Sequence, residues 1–505
     1  MASERWLPND DFRTVSEFLY RLVLSLLRPL LPLRLYWRAR REPDYGERRA
    51  ERFGRIDSPV PAGAVWIHAV SAGETLAVGP LVDRMRATRP DLPVLITTMT
   101  PTGKDAVQTR FAGAVPHAYA PYDFPDAVAR ALDAVRPALL VLVETELWPN
   151  LIAAAHRRKI PVLLINARLS ARSARGYRWG GRLVRRMMQR LEHVACQYPA
   201  HAARFAALGV PPDRLSVTGS VKFDLTLPAG LDEHARALRQ RLGLGSAPVW
   251  IAASTHPGEE ALVLEAHHRV RQRIPDARLV LAPRHPQRAT EVAALCRAAG
   301  FAVRLSGTDR ALSGPHDDPH GTQQARDAQE ARDAQEAIVL VNAMGVLLPH
   351  YALADAAFVG GSLVPVGGHN PIEPALIGVP MMVGPHVHNF ADVLAVLADP
   401  DFEPPLGPAS DPAFDPAFDP VLDPGKGPSP NAIAKVADPQ ALADVVAFWL
   451  GRDPRVAAAR TAAGERLMVR ARAASGASAR TAALLLRHVP TPAAVTKGNA
   501  HDTPA

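Results

Sequence analysis

At 505 residues the chain exceeds one ordinary domain, and its hydrophobic share of 48% with a mean hydropathy of −0.04 excludes both a disordered chain and a multi-span membrane protein. Two cysteines, Cys196 and Cys296, stand far apart in the sequence; they exclude a disulfide framework and a cysteine-based zinc or iron–sulfur site, and are compatible with a reducing cytoplasm. The net charge is +8 and the pI about 9.7, and all but six of the 58 basic residues are arginine, whose planar fork suits phosphate and carboxylate.

In chain order, the first feature is an apolar stretch from Phe18 to Trp37, interrupted by Arg21, Arg28, Pro29, Pro32 and Arg34. It is nearly long enough to span a bilayer, but an arginine near the centre of a span costs a few kcal/mol. No cleavage pattern of small residues follows it. The expectation is an interfacial helix with snorkelling arginines, followed by the basic collar Arg34, Arg38, Arg40 and Arg41, which favours a cytoplasmic face. A short single-span anchor and a plain docking helix are the alternatives.

From Ala64 onward, short apolar runs alternate with helical stretches. Strands are predicted at 64–70, 93–99, 138–143, 161–167 and 214–220, in βα units that imply a parallel sheet. The polar segment 231–247 reads as a linker, after which strands recur at 248–254, 277–283, 337–343, 355–361 and 378–384. Two doubly wound α/β lobes are thus predicted, 46–230 and 248–488, behind an N-terminal segment 1–45, with ligands in a cleft at the carboxyl ends of the strands. The stretch near 308–336, which repeats ARDAQE, and the Pro/Asp-rich stretch 399–430 read as surface insertions, and 489–505 as a disordered tail.

Chemistry concentrates at strand ends. In HAVSAGET (68–75) Glu74 stands at a strand-to-helix junction, where a carboxylate can act as a general base or simply stabilise the helix N-terminus. In ETELWPN (144–150), alternation puts Glu144 and Glu146 on one face if the strand continues. Between Leu151 and Arg190 there are eleven basic residues and no acidic one, with few aromatics. That pattern argues against single-stranded nucleic acid and for an anionic membrane or phosphorylated lipid. In the second lobe ASTHPGEE (253–260), with Ser254 and Thr255, has the strand–turn–helix form that aims amides at an anion. APRHPQR (282–288) places Arg284 and His285 after another strand, and the glycine-rich 360–385 offers Gly367, Gly368 and Asn370, with Glu373 for a ribose hydroxyl.

Taken together, YRLVLSLLRPLLPLRLYWR, ERFGR, HAVSAGET, ETELWPN, INARLS, GSVKFD, STHPGEE, PRHP and GGHNPIEPALIGVPMMVGPHVHNF, in order from about residue 19 to 390, resemble the 3-deoxy-D-manno-octulosonic acid (Kdo) transferases of lipopolysaccharide synthesis in Gram-negative bacteria. The resemblance implies a GT-B fold, two Rossmann-like lobes with a membrane-associated N-terminus on the cytoplasmic side of the inner membrane. It implies inverting transfer of Kdo from CMP-Kdo to a lipid A precursor, lipid IVA, without a metal or other cofactor. It further implies Glu74 as base with Glu146 supporting the acceptor side. Lys222, Ser254, Thr255, Arg284, His285, Gly367, Gly368, Asn370 and Glu373 would bind the donor, and Ser71, Gly73, Arg172, Arg175 and Arg178 the acceptor. One departure is Asn342-Ala343-Met344-Gly345-Val346, which lacks the glutamate the family carries after the glycine. The competing functions are a GT-B transferase using a UDP donor and an inactive membrane-binding homologue.

Overall fold

The computed structural model describes residues 11–56, 60–306, 311–312, 337–398 and 432–489. Most of both predicted insertions and all but the first residue of the predicted tail lie outside the described residues. The chain forms two units, one of residues 1–224 and 475–505, the other of residues 225–474.

The first unit is a seven-stranded sheet of β1 (Val65–His68), β2 (Val94–Thr98), β3 (His117–Tyr119), β4 (Leu139–Val143), β5 (Val162–Ala167), β6 (His193–Cys196) and β7 (Leu215–Val217), in the order β3-β2-β1-β4-β5-β6-β7. All neighbours are parallel. The strands are apolar runs because both faces are covered. Val65, Ile67, Ile96 and Val141 pack on the helix Ala72–Thr88, while Trp66, Leu95, Leu140 and Leu164 face the opposite layer.

The second unit holds β8 (Val249–Thr255), β9 (Arg278–Pro283), β10 (Val303–Leu305), β11 (Ala311–Leu312), β12 (Ile338–Leu340), β13 (Ala356–Val359), β14 (Met381–Val383) and β15 (Ile433–Lys435). Their order is β11-β10-β12-β9-β8-β13-β14-β15, and only β11 runs antiparallel to its neighbour. All ten predicted strands are present. The five not predicted, β3, β6, β10, β11 and β15, have two to four residues each, too few to show a period.

Two boundaries differ from the sequence reading. The expected linker contains the helix Leu231–Arg241, which belongs to the second unit, and there Arg239 donates to the Leu353 carbonyl at 2.9 Å. The helix Ala477–Arg487, expected in the second lobe, returns to the first sheet. There Asp224 accepts from the Gly476 and Ser478 amides, Arg480 donates to the Thr218 carbonyl at 2.9 Å, and Leu485 is buried beside the helix Ala72–Thr88.

Candidate active site

Each sheet has a switch point, where the strand order reverses and the crossovers diverge, leaving a crevice at the strand carboxyl ends. In the first unit it lies between β1 and β4. Ser71 caps the helix that follows β1, its hydroxyl oxygen accepting from the Glu74 amide at 3.3 Å. The hydroxyl hydrogen goes to Glu74 Oε1 at 3.0 Å, and the Val70 amide donates to Oε2 at 2.9 Å. The arrangement resembles a capping box with the reciprocal bond shifted to the amide before the cap, so the helix-stabilising role expected of Glu74 is present. A second property accompanies it. Burial lifts the Glu74 carboxyl from the usual range to about 7, with Glu144 and Glu146 pushing the same way and the two hydrogen bonds pulling back. A carboxylate near half-ionisation at neutral pH is matched to taking a proton from a hydroxyl.

Strand β4 stops at Val143, and Glu144 takes a left-handed backbone with φ 57°. The two carboxylates of ETELWPN therefore do not share a strand face by alternation, as the sequence suggested. Glu144 pairs with Lys222 at 2.9 Å. Glu146 accepts from the Trp148 indole N–H at 2.9 Å, and burial raises its carboxyl. Beneath Trp148, 4.6 Å away and nearly perpendicular, is the fully buried His68. Thr97 Oγ1 accepts from the Trp66 indole at 2.8 Å and shares a hydrogen bond with His68 Nδ1 at 3.1 Å, which fixes the ring. Burial holds this imidazole neutral, down at about 3. The Trp148 ring that orients Glu146 is thus backed by a fixed ring.

Of the acceptor residues expected, Ser71 is the helix cap and Gly73 lies exposed in the first turn. Arg172, Arg175 and Arg178 project from the helix Ala171–Trp179, exposed and without an ion pair among the described residues. Trp179, at the end of that helix, is 91% exposed. The next helix, Gly181–Gln189, adds exposed Arg182 and Arg185 and touches the N-terminal helix.

The N-terminal segment is two helices, Asp11–Leu27 and Leu30–Arg41, broken at Pro29. No helix among the described residues is long and apolar enough to cross a membrane. Two of its arginines do not snorkel as expected. Arg21 donates to Asn150 Oδ1 at 3.2 Å, and Arg28 grips both oxygens of Asp126 at 2.8 and 3.0 Å. Tyr20 donates to Asp123 at 2.8 Å. Asp123 also accepts from the Asn150 and Leu151 amides, and burial lifts it to about 6. Polar contacts thus dock one face, while Phe18, Leu22, Leu26, Leu30, Leu33 and Trp37 stay exposed.

In the second unit the switch point lies between β8 and β13. Strand β8 bulges at Ser254, whose φ is +60°, and Gly360 abuts it so closely that a Cβ would lie 2.6 Å from the Ser254 carbonyl oxygen. The buried Glu259 accepts from the amides of His256 at 2.9 Å, Gly361 at 2.6 Å, Ser362 at 2.9 Å and Leu363 at 2.8 Å. Of these amides, that of His256 belongs to the ASTHPGEE turn the sequence reading aimed at an anion, and it is held by a carboxylate of the chain itself. Thr255 is likewise buried, donating to Glu260, which pairs with Arg288 at 2.7 Å.

Among the other expected donor residues, Arg284 and His285 are open. The Arg284 guanidinium is half-buried with no ion pair or hydrogen bond among the described residues, and His285 is exposed beside it. Gly367 and Gly368 turn the loop back so that their amides bond the Gly361 carbonyl. Asn370 donates to Glu373 at 3.3 Å, and burial raises Glu373. Lys222 is not among them; it lies in the first unit on Glu144. Sequence reasoning also missed Asp123, Glu259, His68 and a close pair of His256 and His369. A glutamate in the first turn after Gly258 signals only a helix start, and neither histidine stands near the other in sequence.

A family model described as 3-deoxy-D-manno-octulosonic-acid transferase (kdotransferase) matches residues 47–225. A 3-deoxy-D-manno-octulosonic acid transferase of Haemophilus influenzae is 36% identical over 385 residues, 76% of this chain and 85% of that one. Its counterpart in Bordetella pertussis is 38% identical over 385 residues, 74% of this chain and 84% of that one. Among solved structures, a glycosyltransferase from Rickettsia africae matches with TM-score 0.52 at 10% identity, over 85% of this chain and 98% of that one, a likeness of fold alone.

Proposed function

Because this chain belongs to the 3-deoxy-D-manno-octulosonic acid transferase family, with the two-unit α/β architecture of GT-B enzymes, we propose that it moves Kdo from CMP-Kdo to a lipid A precursor. The observation that carries the reading is Glu74, tethered by two donors at the first switch point and poised at about 7. Glu74 takes the proton of the acceptor hydroxyl. The hydroxyl oxygen bonds to the anomeric carbon from the face opposite the leaving group, which inverts it. The electron pair of the breaking C–O bond goes to the CMP phosphate. Arg284, His285 and the loop Gly367–Asn370 oppose that charge, and Glu373 takes a ribose hydroxyl.

The same unit supports a localisation at the membrane. The exposed apolar face from Phe18 to Trp37 enters the headgroup region of the inner membrane from the cytoplasmic side. Trp179 and the exposed Arg172, Arg175, Arg178, Arg182 and Arg185 meet anionic lipid and acceptor phosphates. The test is mass spectrometry of products from the purified protein, lipid IVA and CMP-Kdo, with UDP-sugars as the control donors. Transfer from a UDP-sugar alone, or no transfer at all, would overturn the reading.

A further inference from the structure

His256 follows β8 and His369 lies in the glycine loop after β13, so the two side chains meet across the second switch point. Their Nε2 atoms are 2.7 Å apart, the rings lie within 5° of parallel, and the centroids are 4.9 Å apart. The centroid separation equals the N···N distance plus one ring radius on each side. The rings therefore meet edge to edge in one plane, with a single hydrogen on the line between the nitrogens. Gly361 permits this, since a Cβ there would press to 2.8 Å on the His369 ring. The N···N distance is also shorter than the roughly 3.3 Å between two nitrogens on a tetrahedral zinc, so this is a hydrogen-bonded pair rather than half of a metal site.

The geometry fixes the protonation chemistry. In the neutral pair one ring donates from Nε2 and keeps a lone pair on Nδ1, while the other accepts at Nε2 and carries its hydrogen on Nδ1. A proton added at the free Nδ1 leaves every heavy atom in place and turns the shared bond into a stronger, charge-assisted one. The charged and titratable groups facing the pair are Arg284 and His285 after β9, and Glu259 and Glu260 at the start of the helix Glu259–Arg273. His285 stands 6.0 Å from the His256 ring. Both glutamates are engaged, Glu259 by four amides and Glu260 by Arg288 and Thr255, whereas Arg284 is not. Burial foremost, then Arg284, holds His369 down at about 4, and burial lowers His256 as well. A phosphate arriving beside Arg284 would reverse the local field and favour the charged form.

We propose that the His256–His369 pair takes up one proton as the donor's phosphate binds, and that the resulting imidazolium stabilises the phosphate when the bond to the sugar breaks. The inference rests on assigning the second unit to the donor. The proton comes from solvent and enters at the free Nδ1. During transfer the C–O electron pair converts the phosphodiester monoanion into the CMP dianion, while the acceptor proton goes to Glu74. The pair keeps its proton until CMP leaves.

The test is calorimetry of CMP binding near pH 7.5 in buffers of different ionisation enthalpy, on wild type, His256→Asn and His369→Asn. Wild type should take up about one proton more per CMP than either variant, the nucleotide's own protonation being common to all three. Histidine nitrogen NMR of the wild-type protein is the second measurement: one ring of the pair should become doubly protonated only when CMP is present. CMP bound with both rings neutral, or with equal proton uptake in all three proteins, would overturn the pair's role and leave the donor assignment standing. Failure of CMP to bind wild type would overturn the donor assignment, and the pair's role with it.

Discussion

Both switch points place a glutamate at the start of the helix after a sheet's first strand, Glu74 after β1 and Glu259 after β8, and the two carboxylates are held differently. Glu259 accepts from four backbone amides and is fully buried. Glu74 accepts from one amide and one hydroxyl and stands beside two further carboxylates. A carboxylate saturated with donors is a structural clamp whose protonation would break the loop it holds. One with two donors and like-charged neighbours can gain and lose a proton without dismantling its surroundings. Both glutamates follow a glycine in the first turn of the helix, so the number of donors, and not the placement, decides the role.

The widest gap between the two should come from removing the charge alone. Glu74→Gln keeps the capping geometry but cannot accept a proton, and transfer should fall about 10²–10⁴-fold with CMP affinity unchanged. Transfer within tenfold of wild type would show that Glu74 is a cap and no more. Glu259→Ala should act on the fold instead. It leaves four amides without their acceptor, a change of the kind that costs about 3–5 kcal/mol, so thermal unfolding should shift down sharply and CMP binding should weaken. Unchanged thermal stability would dissolve the distinction between clamp and base.

Acidity sharpens the comparison further. The base form of Glu74 is the active one, so kcat/KM should be full above about pH 7 and fall as pH drops through it. Glu144→Gln with Glu146→Gln should move that limb to lower pH by less than a unit, because both charges raise the Glu74 carboxyl. Stability runs the other way. The folded carboxyl titrates at about 7 against 4.5 unfolded, so the folded state binds more protons in that window and loses stability as pH rises. Glu74→Gln should therefore stabilise the protein above pH 7, on the order of 1–2 kcal/mol, with the gain vanishing below about pH 4.5. A gain of equal size at pH 4 would mean that Glu74 is not the titrating group.

The sequence carried the architecture well because a parallel sheet covered on both faces needs apolar runs, and every run of that kind became a strand. It carried the first switch point for the same reason, since Glu74, Glu144 and Glu146 sit directly after such runs. The second was legible only in part. Arg284, Asn370 and Glu373 follow strands or glycines, so their place near the second switch point can be read from position, whereas Glu259 and the His256–His369 pair depend on a loop returning across the sheet from about a hundred residues away. The helix Ala477–Arg487 was misplaced on similar grounds, because an amphipathic helix does not encode which of two sheets it covers. Snorkelling of Arg21 and Arg28 was an expectation from spacing, and Asn150 and Asp126, distant in sequence, supply the partners instead.

Lys222 gives the smallest effect and the finest discrimination. Its motif resembled a donor-binding one, yet the ammonium lies 2.9 Å from Glu144 in the first unit. Lys222→Met removes a partly exposed ion pair, so stability should change by about 1 kcal/mol or less. The charge it leaves behind is more telling. Glu144 raises the Glu74 carboxyl, and an unpaired Glu144 should raise it further, moving the acid limb of kcat/KM upward by a fraction of a pH unit. A residue on the donor phosphate would instead weaken CMP binding and leave the limb where it was. The two outcomes are read from one pH series with a CMP titration, and they assign Lys222 to one switch point or the other.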